Sequence, residues 1–224
     1  TVAPGHVRSG MSPLLKAFYT FCVAVCLAWS GPARAQGFDF YVFALSWSPG
    51  FCTLEGAEKG RDQCAPGART RFVVHGLWPQ AGADSLINCP AGQNPVPRAT
   101  LDRARDLFPD EGLARYQWRK HGGCSGQAPS AWLDDVRQAR GAIVVPPLFA
   151  QLQSEIRMQP EDILRAFREA NPRLRAGMAA VSCPRNLFQE IRICMSRDMR
   201  DFVPCPQIVR QTCRAPAVIV KAPL

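Results

Sequence analysis

Eight cysteines restrict what this chain can fold into more than any other feature. They are Cys52, Cys64, Cys89, Cys124, Cys183, Cys194, Cys205 and Cys213. In an oxidising compartment an even set of thiols closes into disulfides, and each bridge fixes two segments as neighbours. The compartment is read from the start of the chain. Lys16 supplies a positive charge, residues 17–29 are an apolar run, and Ala33-Arg34-Ala35 is a small-residue cleavage pattern. Cys22 and Cys26 fall inside that run and would leave with it. An apolar run of this length is too short to span a bilayer, which takes ~20 residues. Residues 1–35 are therefore expected to be upstream residues plus a secretory signal, starting at Met11 and cut after Ala35. Residues 36–224 are expected to be one exported domain, periplasmic or extracellular. Eight cysteines allow 105 pairings, so spacing alone does not choose among them.

Export also changes the charge. The formal net charge is +9, and the leader removes Arg8, Lys16 and Arg34 but no acid, leaving +6. A basic surface suits a polyanion and steers it inward at low salt. No long basic run is present, so charge only supports such a reading.

Residues 38–47 and 71–75 read as strands, with Gly76 ending the second and Trp78-Pro79 following as a stiff turn. Residues 101–107 are a short helix candidate with Leu101, Ala104 and Leu107 on one face. Residues 113–121 contain no breaker until Gly122-Gly123, and residues 130–140 form a helix pattern with Ser130 as its N-cap. Ile163, Leu164, Phe167 and Ala170 recur at helical spacing across residues 161–171, between Pro160 and Pro172. Residues 178–183, 187–195 and 217–220 read as strands. In 187–195, Leu187, Gln189, Ile191 and Ile193 alternate with Phe188, Glu190, Arg192 and Cys194. Helices and strands do not alternate strictly. The expected class is α+β, a mainly antiparallel central sheet with flanking helices.

Of three histidines, His6 lies in the expected leader, so the domain keeps only His75 and His121. Each is followed by glycine and has a tryptophan three residues away, Trp78 after the first and Trp118 before the second. On the helix pattern Gln117, Lys120 and His121 share one face, with Tyr116 at its border. Imidazoles exchange protons near neutral pH. Two of them, with a lysine and an indole, match what phosphodiester transesterification needs. One group takes a proton from a 2′-hydroxyl, another gives one to the leaving 5′-oxygen, and a cation steadies the phosphoryl oxygens. RNA carries that nucleophile itself. Trp78 would stack on a base or serve as core, whereas Trp118 points to the core.

The stretches Phe72-Val73-Val74-His75-Gly76-Leu77-Trp78-Pro79-Gln80 and Trp118-Arg119-Lys120-His121-Gly122-Gly123-Cys124 resemble the two active-site motifs of the ribonuclease T(2) family. Residues 38–52 and 187–194 resemble its first and a late strand. The resemblance implies a secreted endoribonuclease that cuts single-stranded RNA through a 2′,3′-cyclic phosphate, with low base specificity and no metal or other cofactor. It implies a monomer needing no protein partner. His75 and His121 match the catalytic histidines, Lys120 the transition-state lysine and Trp78 the base-pocket aromatic. It implies the bridges Cys52–Cys64, Cys89–Cys124, Cys183–Cys213 and Cys194–Cys205. Two departures stand out. Tyr116-Gln117 replaces the usual His-Glu, and Gln80 stands where a carboxylate commonly follows Trp-Pro. The family makes His121 the base and His75 the acid. The residues alone leave this open, because a helix C-terminus favours a protonated His121 while Lys120 disfavours it.

Two rival classes remain. A secreted RNA- or partner-binding protein with this fold and weakened catalysis would account for Gln117. A zinc hydrolase would need spaced ligand pairs, and neither Cys-x-x-Cys nor His-x-x-x-His occurs.

Overall fold

The computed structural model describes residues 37–56 and 62–223. The expected leader, with Met11 and the site after Ala35, lies outside them. The centre of the fold is β1 (Phe40–Trp47), buried along its whole length. It pairs antiparallel with β2 (Phe72–Ala81) on one side and β6 (Glu190–Met195) on the other. Adding β3 (Asp84–Ser85) and β5 (Ala179–Ser182) gives a five-stranded antiparallel sheet in the order β3-β2-β1-β6-β5. A second sheet pairs β4 (Ile156–Met158) with β7 (Val218–Val220). This α+β architecture agrees with the expected class.

The two faces of the large sheet differ. Tyr41, Phe43, Leu45 and Trp47 of β1 join Val74, Leu77, Ile191 and Ile193 in the main core. Helices α1 (Glu111–Lys120), α2 (Pro129–Gly141) and α3 (Pro160–Ala170) add Trp118, Trp132, Leu133 and Phe167 to it. Each such side chain removed from water stabilises the fold by ~1.5–3 kcal/mol. The opposite face holds a smaller cluster of Phe40, Val42, Ala180, Cys194, Cys205 and Ile208, with Trp78 packed against it. Cover on both faces explains why β1 is a continuous apolar run instead of an alternating one.

The four bridges are Cys52–Cys64, Cys89–Cys124, Cys183–Cys213 and Cys194–Cys205, the pairs the resemblance implies. Several local expectations need correction. Gly76 does not end the strand, because β2 runs through Trp78-Pro79 to Ala81. Helix α2 starts at Pro129 with Ala128 at the N-cap position, so Ser130 caps nothing. Proline at the first helical position has the right φ and no N–H to satisfy, which moves the start earlier. Pro160 is likewise the first residue of α3. The short helix lies at Arg98–Asp102, with Ala104 and Leu107 buried in the turns after it. Residues 187–189 precede β6. The β4–β7 pairing was not foreseen, because three-residue strands carry no readable period.

Candidate active site

A single extra residue in β2 builds one wall of the site. Gly76 lies opposite Ala44 and Val74 opposite Leu45, which leaves His75 unpaired in a β-bulge. Trp78 and Gln80 sit opposite Val42 and Phe40, on the face away from the main core. Unbroken alternation back from them would send position 75 into that core. The bulge turns His75 instead toward the second face, where its side chain keeps 38% exposure.

There Nδ1 of His75 pairs with Oε2 of Glu190 on β6. Glu190 is buried, and its other oxygen accepts from Nε of Arg192 at 2.7 Å. Burial pushes this carboxyl up, but the charges and hydrogen bonds of His75 and Arg192 outweigh it and hold the group below the usual range. With Nδ1 engaged, Nε2 of His75 is the nitrogen left for a substrate.

The other wall is the end of α1. Asp110 caps its start, accepting from the Leu113 N–H at 2.7 Å. Gln117 is buried, and its Oε1 accepts from the Trp78 indole N–H at 2.8 Å. A Cβ on Gly76 would lie 2.3 Å from both of those atoms, so only glycine admits this bond. His121 follows directly on the helix, and its backbone N–H bonds the Gln117 carbonyl at 2.9 Å. Its Nδ1 lies 3.3 Å from both the Leu86 carbonyl oxygen and Ser85 Oγ. A carbonyl only accepts, so Nδ1 carries the proton and Nε2 keeps its lone pair. His121 is only 6% exposed, and its pKa is pushed down to about 4. Burial is the largest cause; the charges of Lys120 and His75 add to it and the Leu86 bond opposes it.

The helix end is clamped. A Cβ on Gly123 would meet the Gly92 nitrogen at 2.1 Å, so two backbones touch there. The Cys89–Cys124 bridge and the Asn88 N–H, which donates to the Lys120 carbonyl at 2.7 Å, fasten the same junction.

Trp78 stands between the walls. Its ring centroid lies 5.1 Å from that of His75 and 5.4 Å from that of His121. The Arg192 guanidinium sits 5.5 Å from the same ring. Trp78 is part-buried among the site's own side chains and also lines the smaller lobe of the cleft. Gln80 is also buried, with its amide donating to the Trp78 carbonyl at 3.2 Å. Lys120 and Tyr116 form the rim, the ammonium 5.4 Å from the phenol ring centre.

The cleft has two lobes that share His75, Tyr116 and Arg192. One, of about 290 Å³, takes in Trp78, Gln80, Gln117, Lys120 and His121. The other, of about 470 Å³, is lined by Ser46, Phe51, Val73, Leu113, Gln189 and Glu190 among others. The structure therefore gathers His75, Trp78, Gln80, Tyr116, Gln117, Lys120 and His121, the site candidates from sequence, around one cleft. Sequence reading missed Glu190 and Arg192. The available signal was two charges spaced i,i+2 in an otherwise apolar strand, which puts both on one face. Among the described residues no cluster of three or more His, Cys, Asp and Glu could hold a metal ion, and no helix is long and apolar enough to cross a membrane.

Comparison with known proteins places this geometry. The family model described as the Ribonuclease T2 family matches residues 38–205. A ribonuclease of Aeromonas hydrophila is 30% identical over 204 residues, spanning 79% of this chain and 82% of that protein. A probable ribonuclease of Haemophilus influenzae is 27% identical over 149 residues, 61% of this chain and 52% of its own length. Among solved structures, an RNase-related protein from Calystegia sepium aligns with a TM-score of 0.64 at 17% identity, covering 84% of this chain and 98% of the other. Ribonuclease MC1 from bitter gourd seeds aligns at 0.58 with 20% identity, covering 75% and 94%. Those two structures share the fold; the match of the family model over most of the chain, together with the Aeromonas relative, shows that the chain belongs to the ribonuclease T2 family and is an endoribonuclease.

Proposed function

We propose that the protein cleaves single-stranded RNA by transesterification, with His121 as the base, His75 as the acid and Lys120 as the electrostatic stabiliser. The observation that carries this is the opposite fastening of the two imidazoles. His121 is neutral near pH 7, with the Nε2 lone pair free to take the 2′-hydroxyl proton. His75 faces Glu190, the counter-ion an imidazolium requires. The 2′-oxygen attacks phosphorus, the P–O5′ bond breaks, and the O5′ receives a proton from His75. The products are a 2′,3′-cyclic phosphate and a free 5′-hydroxyl.

Gln117 holds Trp78 through a neutral oxygen, a task an amide does as well as a carboxylate. Its place in the chemistry is thus to position the wall between the histidines. This favours the catalytic reading over a binding protein with lost activity. The larger lobe sets apolar Phe51, Val73 and Leu113 among polar groups such as Ser46, Gln63 and Gln189, a mixture that suits a nucleobase beside His75. Four disulfides and the leader pattern support export to the periplasm or the medium. RNA fragments from the purified protein should carry cyclic phosphate ends, and cleavage should persist in excess EDTA. Fragments with 5′-phosphate ends, or loss of activity on chelation that added zinc restores, would contradict the mechanism.

A further inference from the structure

We propose that Arg192 is a second phosphate-binding cation of the reaction centre, positioned by Glu190. This rests on the ribonuclease reading above. Glu190 and Arg192 lie two apart on β6 and share its second face. In register, Arg192 is flanked by Ala44 on β1 and Ala180 on β5. Both neighbours are small, so the long side chain has room to lie across the sheet. Its Nε is fixed by Glu190 at 2.7 Å and its plane rests near the Trp78 ring.

A guanidinium present only to neutralise Glu190 would be expected beneath the surface with its carboxylate. Instead Glu190 is 5% exposed in its side chain while Arg192 is 31% exposed. Arg192 also lines both lobes, at the junction where His75 stands. A diester bridging one lobe to the other must bring its phosphate to that junction. With Nε held, the Nη donors keep the planar fork that grips two phosphate oxygens. Lys120 approaches from the opposite wall, so the developing charge meets a cation on each side. Glu190 touches no substrate in this arrangement; it is a positioning residue that orients His75 with one oxygen and Arg192 with the other.

The test compares wild type, Arg192→Gln and Arg192→Lys on a dinucleoside phosphate. Inorganic phosphate serves as inhibitor and, in calorimetry, as ligand. Arg192→Gln is expected to lower kcat/KM ~10²-fold. It should weaken phosphate binding ~10-fold. Arg192→Lys should fall between, with the fold intact by circular dichroism. If Arg192 is only a counter-ion of Glu190, Arg192→Gln will bind inorganic phosphate as tightly as wild type; that result overturns the proposal. A wild-type protein that does not cleave at all removes the ribonuclease reading separately. Phosphate calorimetry still decides Arg192 in that event, supporting it through weaker binding to Arg192→Gln and refuting it through equal binding.

Discussion

The two walls of the cleft hold the same side chain in opposite ways. On the strand side, His75 is half exposed and faces a buried carboxylate. On the helix side, His121 is buried against a carbonyl oxygen, with no carboxylate among its hydrogen-bond partners in the described residues. One wall supplies an anion that an imidazolium can pair with, and the other withholds water and adds a lysine. A reaction that needs one proton donor and one acceptor is served by that difference, because environment, not residue type, sets the two imidazoles apart. The means of construction differ too. The strand wall depends on one inserted residue, the helix wall on a cap, a disulfide and two glycines.

The harshest way to break the comparison is to remove either imidazole. His75→Ala and His121→Ala are each expected to cut kcat ~10²–10⁴-fold, the usual value of a positioned acid or base. The double variant should lose far less than the product, since the pair acts as one unit. Half-normal activity in either single variant, with normal RNA binding, would make that histidine structural.

The next break separates the walls mechanically. Replacing Cys89 and Cys124 together by alanine should cost ~2–5 kcal/mol of stability, read by denaturant unfolding. Activity should fall with it, because the bridge anchors the end of α1 beside His121. Unchanged kcat/KM in the folded variant would show that Gly123 on Gly92 and the Asn88 bond hold the helix end without it.

A smaller effect sharpens the contrast by making the walls alike. Gln117→Glu would keep the acceptor for Trp78 and place an anion on the helix side. An anion favours the protonated imidazole, so the His121 pKa should rise and the acid limb of the pH–rate profile should move to higher pH. Superimposable profiles would mean that position 117 serves only to hold the indole.

Much of this contrast was legible in the sequence. The histidine pair, Lys120 and Gln117 were visible because glycine punctuation and helical spacing are local properties. The bridges came through a motif resemblance, which the spacing of the cysteines could not have replaced. The bulge at His75 was not legible. A bulge is a mismatch between two strands, and β1 lies some thirty residues away in sequence. Glu190 was missed for a related reason: its partner His75 is 115 residues distant. The packing of Trp78 between two imidazoles was not legible either, because an indole looks the same in sequence whatever it faces. Ser130 was a plausible cap until Pro129 took the first helical position.

The central claim is that His121 enters the reaction neutral. The imidazole Cε1–H resonances can be followed by NMR through a pH titration, with His121→Ala identifying the signal that disappears. The expected result is a midpoint near 4, well below the ordinary histidine value. A midpoint at or above ~6.5, the unperturbed value, would mean that His121 is protonated in slightly acid solution and cannot be the buried, neutral base described here.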